Sequence, residues 1–215
     1  MPTARPQLLL RDEGGAALPT LLWRFPEPVL SVSSAAAGGG LTRVRWVINA
    51  QVRHDYRRTD LDEHIAQIAA ATHLAGPGVG LLTAVDVRRH HSVTVDDVTV
   101  TATVGVTDPV WAADLSATSA AQAPAVGTIN VVAALPTRIL PGGLINLVAT
   151  ITEAKCQALA DRKVAGTGTP SDAVTVVCPA DGVADRFGGP RSECGRAAAA
   201  ATYRAIIAGL DQPGG

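Results

Sequence analysis

Hydrophobic and polar positions follow two different periods along this chain, and the change of period marks out its elements. Val98 to Val106 is a strand-like run in which Thr99 to Thr103 alternates with period two. Val79 to Val87 and Thr128 to Leu135 are two more such runs, and Asp172 to Val177 is a fourth. Upstream, Leu18 to Trp23 and Val29 to Ser33 read as short strands separated by Pro26 and Pro28, with Val44 to Ile48 after them. Pro2 to Gly15 is a loose start or a first edge strand. Three segments switch to helical spacing. In the first, Asp60 is placed to cap a helix running through Ala75, with apolar Leu61, Ile65, Ile68 and Ala69, ended by Gly76-Pro77-Gly78. The second helix opens at Gly142 and the third runs from about Ser192 to Gly209.

Four connections separate these elements. They are the small-residue turn Ser33 to Gly40, a polar link from His90-His91-Ser92 to Asp96-Asp97, a small-residue loop from Ala117 to Pro124, and the Gly-rich Ala180 to Pro190. About three helices and seven strands result, with several strands in sequence rather than alternating with helices. The expected fold is α+β (mixed α/β): a single domain over residues 1–215, with a mixed, partly antiparallel sheet and loose termini at 1–15 and 210–215.

Composition narrows the function. The 215 residues suffice for one sizeable core, and with 47% hydrophobic but only 3% aromatic residues that core is built from Val, Leu, Ile and Ala. The net charge of −1 and the lack of a basic patch argue against a nucleic-acid partner. No apolar stretch approaches the ~20 residues of a membrane span, and Leu8-Leu9-Leu10 meets Arg11 too soon for a signal peptide. Cys156, Cys178 and Cys194 are odd in number and widely spaced, so neither a zinc site nor a disulfide framework is expected. A soluble, cytoplasmic protein with reduced thiols fits. Neither His90-His91 nor the His64 and His73 pair has metal-ligand company. The small-residue helices permit packing between subunits, so a homo-oligomer is compatible with the sequence.

The stretch from Gly142 to Val177 concentrates the candidate chemistry. At 3.6 residues per turn, Asn146, Thr150, Glu153 and Gln157 form one polar stripe, and Leu144, Leu147, Val148, Ile151, Ala154 and Ala158 the apolar face. Lys155 falls within that apolar face, where a lysine must snorkel or find an ionic partner. Glu153 and Lys155 point in roughly opposite directions. After the helix, the hydroxyl-rich turn Gly166 to Pro170 leads into the strand that Asp172 opens.

Several segments together resemble the adenosylcobinamide amidohydrolase family. They are Ser33-Ser34-Ala35 with Gly38-Gly39; Asn49 with Val52 and Tyr56; Gly78 to Ala84; Ala102 to Thr107; Gly127 to Val132; Thr152 to Lys155 with Ala158-Leu159; Thr167 to Val174; and Glu193 to Arg196. Their order is collinear from about residue 30 to 207. Two positions depart from the family pattern: Asp108 stands where Asn is usual and Cys156 where Thr is usual. The resemblance implies corrinoid salvage, namely hydrolysis of the amide joining the corrin ring's propionyl side chain to an aminopropanol arm. The products would be adenosylcobyric acid and aminopropanol. Cobalt would enter only with the corrinoid substrate, and no protein cofactor or metal is expected.

Amide hydrolysis needs a nucleophile, a stabiliser for the oxyanion and an acid for the leaving amine. In a water route, Glu153 or Asp172 is the base, Asn49, Asn130 or Asn146 donates to the oxyanion, and Lys155 protonates the amine. In a covalent route, Thr169 or Ser171 is the nucleophile. Thr167 and Thr169 are candidate substrate contacts or simply satisfy backbone groups in their turn. Asp172 could equally form an Asx-type turn. A corrinoid carrier without activity, or an amidohydrolase for another amide, shares the same residues.

Overall fold

The computed structural model describes residues 5–115 and 127–212; the loop expected at 117–124 lies outside them. Strands β1 (Gln7–Glu13), β2 (Ala16–Ser33) and β3 (Gly40–Gln51) form an antiparallel meander, so the first segment takes its edge-strand form. The two short strands expected at Leu18 to Trp23 and Val29 to Ser33 are one 18-residue strand. Pro26 and Pro28 are tolerated because the pairing to β3 shifts register between Arg24 and Val29, where no ladder N–H is demanded.

Helix α1 (Leu61–Ala71) follows, and both expected ends need correction. Asp60 makes no side-chain cap; its carboxylate is held by Arg58 instead. The helix stops before Gly76 in a Schellman turn, with His73 N–H donating to Ala70 O (3.1 Å) and Leu74 N–H to Ala69 O (2.8 Å). His73 takes the left-handed conformation, φ 55°, that glycine usually supplies. Beyond it lie β4 (Gly78–Thr83), shorter than the run to Val87, and a 3-10 turn at Val87–Arg89. The stretch expected as a polar link is strand β5 (His91–Val95), which forms a hairpin with β6 (Val98–Val104). Its turn, Asp96-Asp97, has two positive φ angles (45° and 64°), as a two-residue hairpin loop requires. Polarity hid this strand: its Ser92 and Thr94 hydroxyls pair across to Thr101 (2.7 Å) and Thr99 (2.9 Å).

The remaining elements are β7 (Ile129–Ala134), β8 (Arg138–Ile139), α2 (Pro141–Asp161), β9 (Ala173–Cys178), β10 (Ala184–Asp185) and α3 (Glu193–Leu210). Pro141 starts α2, at a position where its missing N–H costs nothing, and Ser192 caps α3 by accepting from Gly195 N–H. The main sheet has eight strands in the order β4-β3-β2-β9-β7-β6-β5, with β1 also on β2. Parallel pairs (β3 with β4, β7 with β9) stand among antiparallel ones. An α+β fold with a mixed sheet and three α-helices among the described residues is thus observed.

The sheet does not stay flat. Asn49 of β3 donates to Thr103 of β6, far away in strand order, so the two halves of the sheet lie face to face. Three apolar layers follow from this. Leu144, Leu147 and Ile151 of α2 and Ala197, Ala201 and Ile206 of α3 pack on one face of β6, β7 and β9. Leu21, Trp23, Val47 and Leu81 meet Val132 and Val177 between the two halves. Ile65, Ile68 and Ala69 of α1 cover the outer face of β3 and β4 with Trp46 and Ile48. Each of the leucine, isoleucine and valine side chains contributes roughly 1.5–3 kcal/mol on burial.

Candidate functional site

Where the facing halves part, a pocket of about 280 Å3 opens. Its walls come from the turn after β2 (Ala35 to Ala37), the end of β3 and its loop (Val52 to His54, Tyr56), Leu61, strand β4 (Gly80 to Thr83) and Ala84. Thr128 and Asn130 of the β7 entry and Ser171 and Ala173 of the β9 entry complete it.

The small-residue turn is stitched in place by its serines. Ser33 Oγ lies 2.7 Å from Thr175 Oγ1 and accepts from Ala35 N–H at 3.0 Å. Ser34 N–H donates to Val174 O, while Ser34 Oγ accepts from Val174 N–H, both at 3.0 Å. Gly38, with φ 68°, then passes against the Gly78 carbonyl so closely that a Cβ would collide with it.

Polar groups line the floor. Asn49 and Asn130 are buried. Asn49 Nδ2 donates to Thr103 Oγ1 (2.9 Å), and Asn130 Nδ2 donates to Asn49 Oδ1 (2.9 Å) and to Leu82 O (3.2 Å). Both amide hydrogens of Asn130 are therefore committed. Its Oδ1 has no protein partner among the described residues, so Asn130 offers the pocket an acceptor rather than the expected oxyanion donor. Thr128 Oγ1 and Ser171 Oγ stand 2.8 Å apart on the same wall. One hydroxyl hydrogen serves that pair and the other is free for a ligand.

Behind Ser171, Asp172 gathers four hydrogen bonds. Its Oδ1 accepts from Ile129 N–H (2.9 Å) and Thr169 Oγ1 (2.5 Å), and its Oδ2 from Lys155 Nζ (2.5 Å) and Thr169 N–H (3.1 Å). Lys155, 9% exposed in its side chain, thus resolves its place in the apolar face by an ionic partner that is itself 13% exposed. Gly168 is needed beneath this pair, since a Cβ there would strike both Asp172 Oδ2 and Lys155 Nζ. Neither Asp172 nor Lys155 lines the pocket.

The other candidates are dispersed. Glu153 and Gln157 are exposed, and Glu153 has no hydrogen bond or ion pair among the described residues. Thr150, placed on the same stripe, is buried and donates to Gly188 O (3.0 Å). Asn146 is exposed in a separate groove with Phe187 and Ser192. Thr167 Oγ1 accepts from Ala112 N–H (3.0 Å) and so secures its turn to the 105–115 segment, and Thr169 is spent on Asp172.

Three residues outside the expected set join the site. Tyr56, on the pocket wall, stacks on His64 with ring centroids 5.3 Å apart, and its hydroxyl is 2.7 Å from His64 Nδ1. His64 is buried, and its Nε2 lies 3.2 Å from Glu13 Oε1 without hydrogen-bond alignment. Burial alone would raise the Glu13 carboxyl, but the hydrogen bond and charge of Arg11, with His64 beside it, hold it below the usual carboxylate range. Burial pushes the Tyr56 hydroxyl up. The sequence signal for His64 is its place beside Ile65 on the inward face of α1, one turn before Ile68. All three cysteines are unpaired, and burial raises the thiols of Cys178 and Cys194.

A concave site with an amide carbonyl, a hydroxyl pair and a tyrosine on its walls is that of an enzyme or binder of a small polar group. A model of the family described as adenosylcobinamide amidohydrolase matches residues 6–215, and the chain belongs to that family, a family of hydrolases of amide bonds. A protein of Methanosarcina mazei named adenosylcobinamide amidohydrolase is 29% identical over 190 residues, 84% of this chain and 90% of that protein. One of Halobacterium salinarum with the same name is 31% identical over 184 residues, 83% of this chain and 79% of that one. A solved structure, the PH0078 protein of Pyrococcus horikoshii, aligns over 96% of this chain and 83% of that one at 12% identity, with a TM-score of 0.43. No helix among the described residues is long and apolar enough to cross a membrane.

Proposed function

We propose that this protein, acting as one domain, hydrolyses the amide that joins the aminopropanol arm to the corrin ring of adenosylcobinamide, releasing adenosylcobyric acid and aminopropanol. One observation carries the reading. Residues distant in the sequence that lie in the segments bearing the family resemblance (Ala35, Val52 and Tyr56, Gly80 to Ala84, Thr128 and Asn130, Ser171 and Ala173) converge on a single pocket.

The pocket's polar groups suit an amide. The Asn130 carbonyl accepts the amide N–H, and the free hydrogen of the Thr128–Ser171 pair donates to the carbonyl oxygen, a contact that strengthens as the oxyanion forms. Lys155 and Asp172 hold the turn that aims Ser171 and do not themselves act as acid and base: all four bonds of the Asp172 carboxylate are taken. Ser171 as a covalent nucleophile is disfavoured, because Thr128 is its one side-chain partner among the described residues and threonine is no base. No resident metal or cofactor enters this scheme; cobalt arrives within the substrate.

The test is purified protein with adenosylcobinamide and a chelator, products separated by chromatography with mass detection. Adenosylcobyric acid and aminopropanol in equal amounts are expected. Intact substrate that nevertheless binds, seen in the corrin absorbance, would make the protein a carrier. Activity only on unrelated amides would move the substrate assignment.

A further inference from the structure

The geometry points to Tyr56, His64 and Glu13 as a hydroxyl–imidazole–carboxylate relay that serves as both general base and general acid for amide hydrolysis at the pocket. This deepens the amidohydrolase reading and rests on it.

The direction of the hydrogen bonds follows from charge. Arg11 holds the Glu13 carboxylate through two hydrogen bonds, at 2.8 and 3.2 Å, and is itself fixed by Thr20 Oγ1 at 2.6 Å. An ionised carboxylate only accepts, so the His64 nitrogen facing it, Nε2, carries the ring hydrogen. Nδ1 is then the bare nitrogen, and the Tyr56 hydroxyl donates to it at 2.7 Å. The tyrosine oxygen keeps lone pairs for the pocket. This is the order of parts that activates a hydroxyl: donor, imidazole, and an anion that steadies the imidazolium.

The step balances without any further reagent. Tyr56 Oη takes a proton from the attacking water as its own proton passes to His64 Nδ1, and the new C–O bond forms. When the tetrahedral intermediate collapses, the C–N bond breaks and the amine nitrogen takes the proton from Tyr56 Oη. His64 returns its proton to the tyrosine. Water has then supplied OH to the acyl carbon and H to the amine. The imidazolium is transient and faces Glu13. Burial that disfavours a standing tyrosinate keeps Tyr56 protonated at rest. The 3.2 Å approach of Nε2 to Glu13 has room to align when that charge appears. The charged groups around His64 are Arg11 and Glu13 of β1 and Arg58 and Asp60 before α1. The latter two are already paired with each other.

Tyr56 is the catalytic residue in this scheme; His64 and Glu13 are positioning residues that act through it. Tyr56→Phe keeps the stacked ring and removes only the oxygen. It should lower kcat by about 100-fold or more while binding of adenosylcobinamide, read from corrin absorbance, stays within about 3-fold. His64→Gln should remove the acidic limb of the kcat/KM profile along with most of the rate. A merely structural histidine would leave the profile's shape unchanged. Circular dichroism of both variants separates loss of chemistry from loss of fold. Wild-type turnover with kcat of Tyr56→Phe undiminished overturns the relay alone. Wild-type protein that leaves the substrate intact overturns the functional reading and the relay together.

Discussion

Replacing Lys155 with methionine separates two roles for the one lysine that lies in the apolar face of α2. The structure makes it half of a buried ion pair whose partner, Asp172, also receives Ile129 N–H and both donors of Thr169. Methionine matches the stem and deletes the charge. The carboxylate then stays buried with three of its four donors. Breaking a buried pair from one side costs about 3–5 kcal/mol when the remaining charge is uncompensated. The three surviving bonds bring the expected loss to about 2–4 kcal/mol. For a chain of this size each kcal/mol moves the melting temperature by about 2–4 °C, so Lys155→Met should melt roughly 5–15 °C lower. Turnover below that melting point should fall modestly, because the Ser171 turn loosens, while substrate binding persists. Thermal denaturation followed by circular dichroism, beside a steady-state assay at 15 °C, reads both quantities. An unchanged melting temperature with turnover abolished would refute the structural assignment and make Lys155 the acid that protonates the amine.

The other expectations are narrower. His73→Gly should stabilise the protein by about 0.5–1 kcal/mol, since the left-handed position that closes α1 strains any residue with a Cβ; urea midpoints would show it, and a loss of stability would deny that this turn is strained. Glu153→Gln should keep kcat within about 3-fold, because the carboxylate is exposed on the far side of α2 from the Lys155–Asp172 pair; abolished turnover would return the water route through Glu153. Glu13 has a lowered native pKa relative to the 4.5 of the free side chain. Its stabilisation is therefore present above about pH 4.5 and is lost as pH falls through the lower native value. The gap in melting temperature between wild type and Glu13→Gln should accordingly be seen at neutral pH and close in acid. A gap that widens in acid would contradict the ion pairing with Arg11.

How much of this was legible in the sequence depended on whether local pattern or distant contact decided the outcome. Helices α2 and α3 were placed because Leu144, Leu147 and Ile151, and the alanines after Ser192, repeat at helical spacing and pack as that spacing implies. Strand β5 was missed because His91, Ser92 and Thr94 read as a polar connection, whereas Ser92 and Thr94 bond across the tight hairpin to Thr101 and Thr99. The two prolines in β2 suggested a break where the ladder shifts register instead. For the site, the sequence offers Asn49 and Asn130 as hydrogen-bonding candidates without relating them, and the structure joins them to each other. Helical spacing alone turns Glu153 and Lys155 apart, and the structure leaves Glu153 exposed while Lys155 is buried against Asp172. Glu13 and His64 could not be joined from sequence at all, since one lies on the edge strand and the other on α1.

The folding-over of the sheet explains why the polar groups gather where they do. The inner face of β6 carries Thr99, Thr101 and Thr103, that of β7 carries Asn130, and that of β3 carries Asn49, all facing a layer otherwise built of Leu21, Trp23, Val47 and Val132. Most buried polar groups are hydrogen-bonded, because leaving one unpaired is costly. The Asn49–Asn130–Thr103 set meets that demand while leaving one acceptor, Asn130 Oδ1, on the pocket wall. These mutual bonds hold Asn130 Oδ1 in place before any ligand arrives. Beside the same pocket, Arg11 holds the Glu13 carboxylate, which faces the His64 ring to which the Tyr56 hydroxyl bonds. Both sets reach one pocket, Asn130 from β7 and Tyr56 from the loop after β3, because a single sheet folds back on itself.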